Sequence, residues 1–131
     1  MAAGTRVHDE HLVCPVARAA RLLGDTWTLL ILRDLGGGAR RFSELEQSTG
    51  ISPRVLSGRL KELERRGILT RQIFASVPPR VEYTLTEKGE AAGPLIDALR
   101  RYGDRWLPPL ADDECAETTV AMDVRNEYRE R

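Results

Sequence analysis

Arg54, Ser57, Gly58, Lys61 and Arg65 recur three or four residues apart, a spacing that gathers them on one side of an α-helix. Guanidinium and ammonium groups donate hydrogen bonds to phosphate oxygens and base edges, a hydroxyl donates or accepts, and a glycine leaves the backbone open to close approach. The chemistry within reach of this set is recognition of a polyanion rather than bond making. Any solvated amphipathic helix also carries an outer charged face, so the context of the set decides between the two readings.

Groups able to make or break bonds are scarce. No histidine follows His11, no Gly-rich phosphate loop is present, and Ser43 and Ser57 have no neighbouring histidine to activate them, so an enzyme is not expected. His8-x-x-His11-x-x-Cys14 spaces three metal-ligand types by three, but without a fourth it reads as solvated histidines, and neither a metal nor a cofactor is expected. Cys14 and Cys115 lie far apart with no CxxC partner, which excludes a disulfide framework and a zinc finger. Cys14 keeps two readings: a small apolar residue near an interface, or, next to Pro15 at a helix start, a thiol suited to redox or electrophile chemistry, because helix N-termini favour thiolates. Cys115 reads as an incidental exposed thiol.

Ser52 is a good N-cap, Pro53 suits the first helical position and Gly67 the residue past the end, so a helix is predicted over 53–66. On its wheel Leu56, Leu60 and Leu63 form one narrow apolar stripe for a core, and Arg54, Gly58, Lys61 and Arg65 lie opposite. Arg59 falls near the edge of the stripe, where a carboxylate of the same chain suits it at least as well as a polyanion. Immediately upstream, residues 42–51 predict a short helix capped by Ser43 and ended by Thr49-Gly50. Two helices joined by such a turn form a helix-turn-helix, whose second member enters the major groove of DNA.

The remaining elements frame that pair. Cys14-Pro15 opens a first helix in which Val16, Ala19, Ala20 and Leu23 are spaced for a buried face, stopped by Gly24-Asp25. A second, from Thr26 through Leu35, is apolar on nearly every side and reads as the central helix; it could also enclose a small apolar ligand, although such stripes are more often core. Gly36-Gly37-Gly38 breaks the chain before a small strand at Arg40-Arg41. Beyond Gly67 the apolar period changes to two: 68–74 and 80–85 predict the strands of a hairpin, with Val81, Tyr83 and Leu85 inward and Pro78-Pro79 in its loop. A hairpin behind a recognition helix is a wing. Thr86 is predicted to cap a last helix, bent near Gly93-Pro94, whose Leu95, Leu99, Tyr102 and Trp106 form a continuous stripe that the first helix or a second subunit must cover.

With 131 residues, 41% hydrophobic, the chain suits one domain, here 14–106, between a flexible arm (1–13) and an acidic, disordered tail (107–131) with a short helix at 120–129. No apolar run reaches the ~20 residues of a membrane span and no signal-peptide core follows the N-terminus, so a cytoplasmic location is expected. Twenty cations balance twenty carboxylates, but unevenly: nine cations face four carboxylates over 40–80, and three face seven over 107–131. A basic middle and an acidic tail suit a DNA-binding face.

Cys14-Pro15-Val16, the run from Gly24 to Leu35, Arg41 to Leu45, Ile51-Ser52 through Gly67, and Pro79 to Gly89 together resemble the HxlR-type family of bacterial winged helix-turn-helix regulators, relatives of the MarR type. The resemblance departs at Asp25-Thr26, where a glycine and a lysine are usual before the tryptophan. It implies a mainly α fold with a small β-hairpin wing, a homodimer joined through N- and C-terminal helices, and a transcription regulator, a repressor on this reading, that binds a pseudo-palindromic operator. Arg54, Ser57, Gly58 and Lys61 are then expected at base edges, with Ser52 at the start of the same helix; Arg41, Ser43 and Arg65 are expected at phosphates, and Arg71 and Arg80 of the wing at phosphate or the minor groove. Some members sense electrophiles or oxidants through the cysteine that Cys14 matches, and a small-molecule effector is the other expected signal. The open alternative is a winged-helix module that offers its basic face to an acidic protein.

Overall fold

The computed structural model describes residues 13–109. Along them run α1 (Pro15–Leu23), α2 (Thr26–Leu35), β1 (Arg40–Arg41), α3 (Phe42–Thr49), α4 (Pro53–Arg65), β2 (Leu69–Phe74), β3 (Arg80–Leu85), α5 (Glu87–Glu90) and α6 (Gly93–Trp106). Both histidines, Cys115, the 120–129 helix and most of the expected arm and tail lie outside the described residues.

Helix α4 starts as its residue types dictate: Ser52 is extended and its Oγ accepts the Val55 N–H at 3.4 Å, while Pro53 needs no partner for a missing donor. It ends at Arg65, one residue before the predicted stop, and Gly67 follows with φ +77°. Gly50, with φ +75°, makes the turn between α3 and α4, a conformation that side chains with a Cβ rarely adopt. One local expectation fails. Ser43 does not cap α3 but is its second residue; Arg41 occupies the cap position and the Glu44 carboxylate reaches back to accept the Arg41 N–H at 2.8 Å, so the donor at the helix start is satisfied without the serine.

The three strands form one antiparallel sheet in the order β1-β3-β2, with Leu69 opposite Leu85, Arg71 opposite Tyr83 and Phe74 opposite Arg80. Directly opposed residues share a face, so Leu69, Arg71, Val81, Tyr83 and Leu85 lie on one side of the hairpin. On that side Leu69 and Tyr83 are buried, and Val81 and Leu85 pack on the core as the alternation predicted.

The core is built round α2, whose Ile31, Leu32 and Leu35 meet Leu45 of α3, Ile51 of the turn, and Leu56, Leu60 and Leu63 of α4. The turn itself is closed by a buried polar group: Thr49 Oγ1 donates to the Leu45 carbonyl at 2.6 Å and accepts the Ile51 N–H at 3.2 Å. On its other side α2 faces α6 across a shallow groove of about 340 Å³ in which Leu29 and Leu30 approach Ile96 and Leu99. Contact on both sides explains why this helix is apolar all round.

Two apolar surfaces stay uncovered. None of the nine residues of α1 is buried, contrary to the expected buried face, because only Leu22 and Leu23 at its end reach the core; Val16 is 76% exposed. Leu95, Leu99, Tyr102 and Trp106 of α6 are all exposed too, the last at 59%. Within one chain the first helix therefore does not cover this stripe.

Leu60 is 1% exposed at the centre of the leucine stripe. Leu60→Ala should lower the free energy of unfolding by about 2–5 kcal/mol in denaturant titration, and a loss under about 1 kcal/mol would contradict the packing described.

Candidate nucleic-acid interface

Because the leucine stripe turns one side of α4 inward, its opposite side is left to solvent. Arg54, Gly58, Lys61 and Arg65 are all exposed there, Ser52 is exposed at the helix start and Ser57 is half-buried at the border with the wing. Arg71, on the side of the hairpin that faces the helix, completes a concavity of about 330 Å³ shared with Ser57, Lys61, Glu64 and the rings of Phe42 and Tyr83. The structure thus brings Ser57, Lys61 and Arg71 together, with Arg54 one turn away on the same helix. Among the described residues Arg54, Lys61 and Arg71 take part in none of the ion pairs, although Glu64 lines the same concavity as the last two.

Gly58 marks the middle of this face. A Cβ built on it would meet nothing within 4 Å, so no internal contact calls for a glycine, although glycine inside a helix costs about 1 kcal/mol relative to alanine. No contact among the described residues accounts for the missing side chain.

The other predicted contacts are placed differently. Arg65 donates through Nε to Glu62 at 3.1 Å, and Arg66 reaches the same carboxylate at 2.9 Å; hydrogen bonds from both guanidinium groups hold Glu62 below its ordinary pKa, and Glu62 in turn raises that of Arg65. Arg80 lies on the outer side of the wing, where the register sets it across from Phe74 and two residues from Glu82. Its guanidinium stacks 4.6 Å from the ring centroid and pairs with Glu82 at 2.9 Å. Arg41 and Ser43 are exposed at the start of α3.

Arg59 finds the carboxylate partner its wheel position suggested, and that partner is Asp25. Nε donates to Oδ2 at 2.9 Å and Nη2 to Oδ1 at 3.2 Å, while Oδ2 also accepts the Thr28 N–H that caps α2. Burial pushes the Asp25 carboxyl up, but the hydrogen bonds from Arg59 and Thr28 together with the Arg59 charge outweigh it and hold the group below the ordinary value. The helix start Asp-Thr-Trp-Thr signals Asp25 as a cap; nothing local signals a partner 34 residues away.

A family model described as HxlR-like helix-turn-helix matches residues 22–111. The chain belongs to the HxlR-like helix-turn-helix family. Among its HxlR-like relatives is sll1512 of Synechocystis, an uncharacterised HTH-type transcriptional regulator 38% identical over 96 residues, which span 72% of this chain and 71% of the relative. A MarR-family regulator from Porphyromonas gingivalis superposes with a TM-score of 0.69 at 36% identity, covering 72% of this chain and 94% of that one. The redox regulator HypR in its oxidised form gives the same TM-score at 32% identity, over 73% and 100% of the two chains. This HxlR-like chain is a transcriptional regulator with the winged helix-turn-helix fold of the MarR type. No helix of the described residues is long and apolar enough to cross a membrane.

Gly58→Ala should raise thermal stability by up to about 1 kcal/mol, through helix propensity in open space, while weakening binding to duplex DNA. Unchanged DNA affinity in the more stable variant would remove Gly58 from the interface.

Proposed function

We propose that this HxlR-like regulator is a cytoplasmic homodimer that binds a pseudo-palindromic operator and represses transcription, with α4 of each subunit in successive major grooves. The observation that carries the reading is the exposed cationic face of α4 and the concavity beside it, where Lys61 and Arg71 flank Ser57 with one carboxylate, Glu64, on the rim, and Arg54 and Gly58 continue the same helix face outside it. Arg54, Ser57, Gly58 and Lys61 sit on the half of the helix that would lie deepest and are assigned to base edges, with Ser52 at its tip. Arg41, Ser43, Arg65, Arg71 and Arg80 are assigned to phosphate or the minor groove. Arg65 exchanges a carboxylate of its own chain for a phosphate, which costs little because its pair with Glu62 is open to solvent, whereas Arg80 is half-buried and must leave both Glu82 and the Phe74 ring to do the same. The uncovered stripes of α1 and α6 support the two-fold partner, since each is too apolar to be left to water.

Cys14 is assigned as the sensor of an electrophile or oxidant. It caps α1, its Sγ accepts the Ala17 N–H at 3.4 Å and it is exposed, which are the access and the position that thiolate chemistry needs; the likeness to the redox regulator HypR supports the same reading. A small-molecule effector is the alternative signal.

Binding should be tested with DNA that the purified protein selects from a genomic pool, compared with a scrambled duplex across a salt series. Arg54→Ala should cost about 1–3 kcal/mol on the selected site and relax its sequence preference, whereas Arg80→Ala should weaken all duplexes alike and flatten the salt slope by about one phosphate. Unaltered affinity and preference in Arg54→Ala would show the docking to be wrong. Cys14→Ser should bind the operator as the parent does but no longer release it when diamide is added, and continued release would clear Cys14 of the sensor role.

A further inference from the structure

The leucine stripe fixes how deep α4 sits and which side faces solvent, but it leaves the fine roll loose. Apolar burial is non-directional, and a helix resting on Leu56, Leu60 and Leu63 can turn about that line at little expense in buried area. Fine reading of base edges needs the roll fixed, because a bidentate contact to a base tolerates little misplacement. On the side where α4 passes α1 and α2, packing does not supply this. A cavity of about 220 Å³ lies there, bordered by Arg21 and Leu22 of α1, Asp25, and Glu62 and Leu63 of α4.

What crosses that gap is the Asp25–Arg59 fork. Among the described residues it is the one ion pair that joins two separate helices; the others lie within four residues of sequence. Both carboxylate oxygens are engaged, so the guanidinium plane is set in direction as well as distance. Asp25 is itself held, since Thr28 donates to its Oδ2 from the backbone at 3.0 Å and from Oγ1 at 3.3 Å. Arg59 is consequently turned away from the cationic face that Arg54 and Lys61 form.

Resting on the DNA-binding reading above, the geometry points to Asp25 and Arg59 as a positioning pair that sets the roll of the recognition helix and thereby its discrimination between operator and other DNA, without touching DNA. The Asp25 carboxyl agrees with this use, since the hydrogen bonds that orient it also hold its pKa below the ordinary value.

The test uses the full chain with Asp25→Asn, Arg59→Gln, Arg59→Lys and the Asp25→Asn/Arg59→Gln double variant. Asparagine still caps a helix, so the first change removes the ion pair and spares the start of α2. Each variant is titrated with the selected operator and with scrambled duplex over a salt series, and its thermal unfolding is recorded. The expected result is a loss of about tenfold in the operator-to-scrambled ratio in every single variant, no further loss in the double, and a salt slope equal to that of the parent. Arg59→Lys should not rescue, since it keeps the charge and lacks the fork. A reduced salt slope in Arg59→Gln, with Asp25→Asn at parental discrimination, would make Arg59 a direct phosphate contact and overturn the proposal. So would variants that melt earlier but discriminate as the parent does. If the parent binds no duplex at all, the DNA-binding reading fails by itself; the pair is then judged by hydrogen exchange of α4, which should rise equally in the singles and the double, and unchanged exchange overturns it.

Discussion

Burial of Leu56, Leu60 and Leu63 against α2 and α3 is the constraint from which the rest of this molecule follows. At about 1.5–3 kcal/mol for each fully buried leucine, the stripe outweighs any single polar contact on α4 and so determines which side of the helix sees solvent. With a 100° step between residues, that choice also places Arg54, Gly58 and Lys61 outward. The cations are not held in place by partners of their own; they are exposed because the leucines are not.

Much of this was legible from local rules. The Ser52-Pro53 start, the alternation of Val81, Tyr83 and Leu85 and the apolar run of α2 each depend on neighbours within a few residues, and these elements appear within a residue or so of their expected bounds; the last helix, expected as one bent near Gly93-Pro94, is instead two, Glu87–Glu90 and Gly93–Trp106. The Ser43 cap was misread because two capping solutions compete there, and the longer reach of Glu44 lets Arg41 take the cap position two residues earlier. Spacing alone also made α1 a buried helix. Periodicity reports that a face is apolar, not whether the same chain has a surface to put against it.

What sequence could not supply are the pairings set by tertiary register. Arg80 and Phe74 meet because the hairpin aligns them across β2 and β3, and Glu82 joins them because alternate residues share a strand face. Arg59 meets Asp25 because the core brings the start of α2 under the middle of α4. In the count of charges along the chain all of these arginines look equivalent. In the fold they divide into those with a carboxylate within ion-pair distance, Arg59, Arg65, Arg66 and Arg80, and those such as Arg54 and Arg71 that, with Lys61, have none among the described residues and so add more to the field outside the molecule.

The two apolar stripes set a limit on what the single chain can be. The core closes round one side of α2 and α6 packs against the other, while the outer stripe of α6 and the exposed face of α1 form apolar surface that the described residues leave open. A surface of this kind is best covered by a partner whose own stripe is equally uncovered, and a second copy satisfies that condition by symmetry, since in a two-fold contact each stripe is both ligand and site. The same helix that anchors the reading face to the core would then also anchor it to the axis, so that the distance between two reading faces is set by packing and not by a linker.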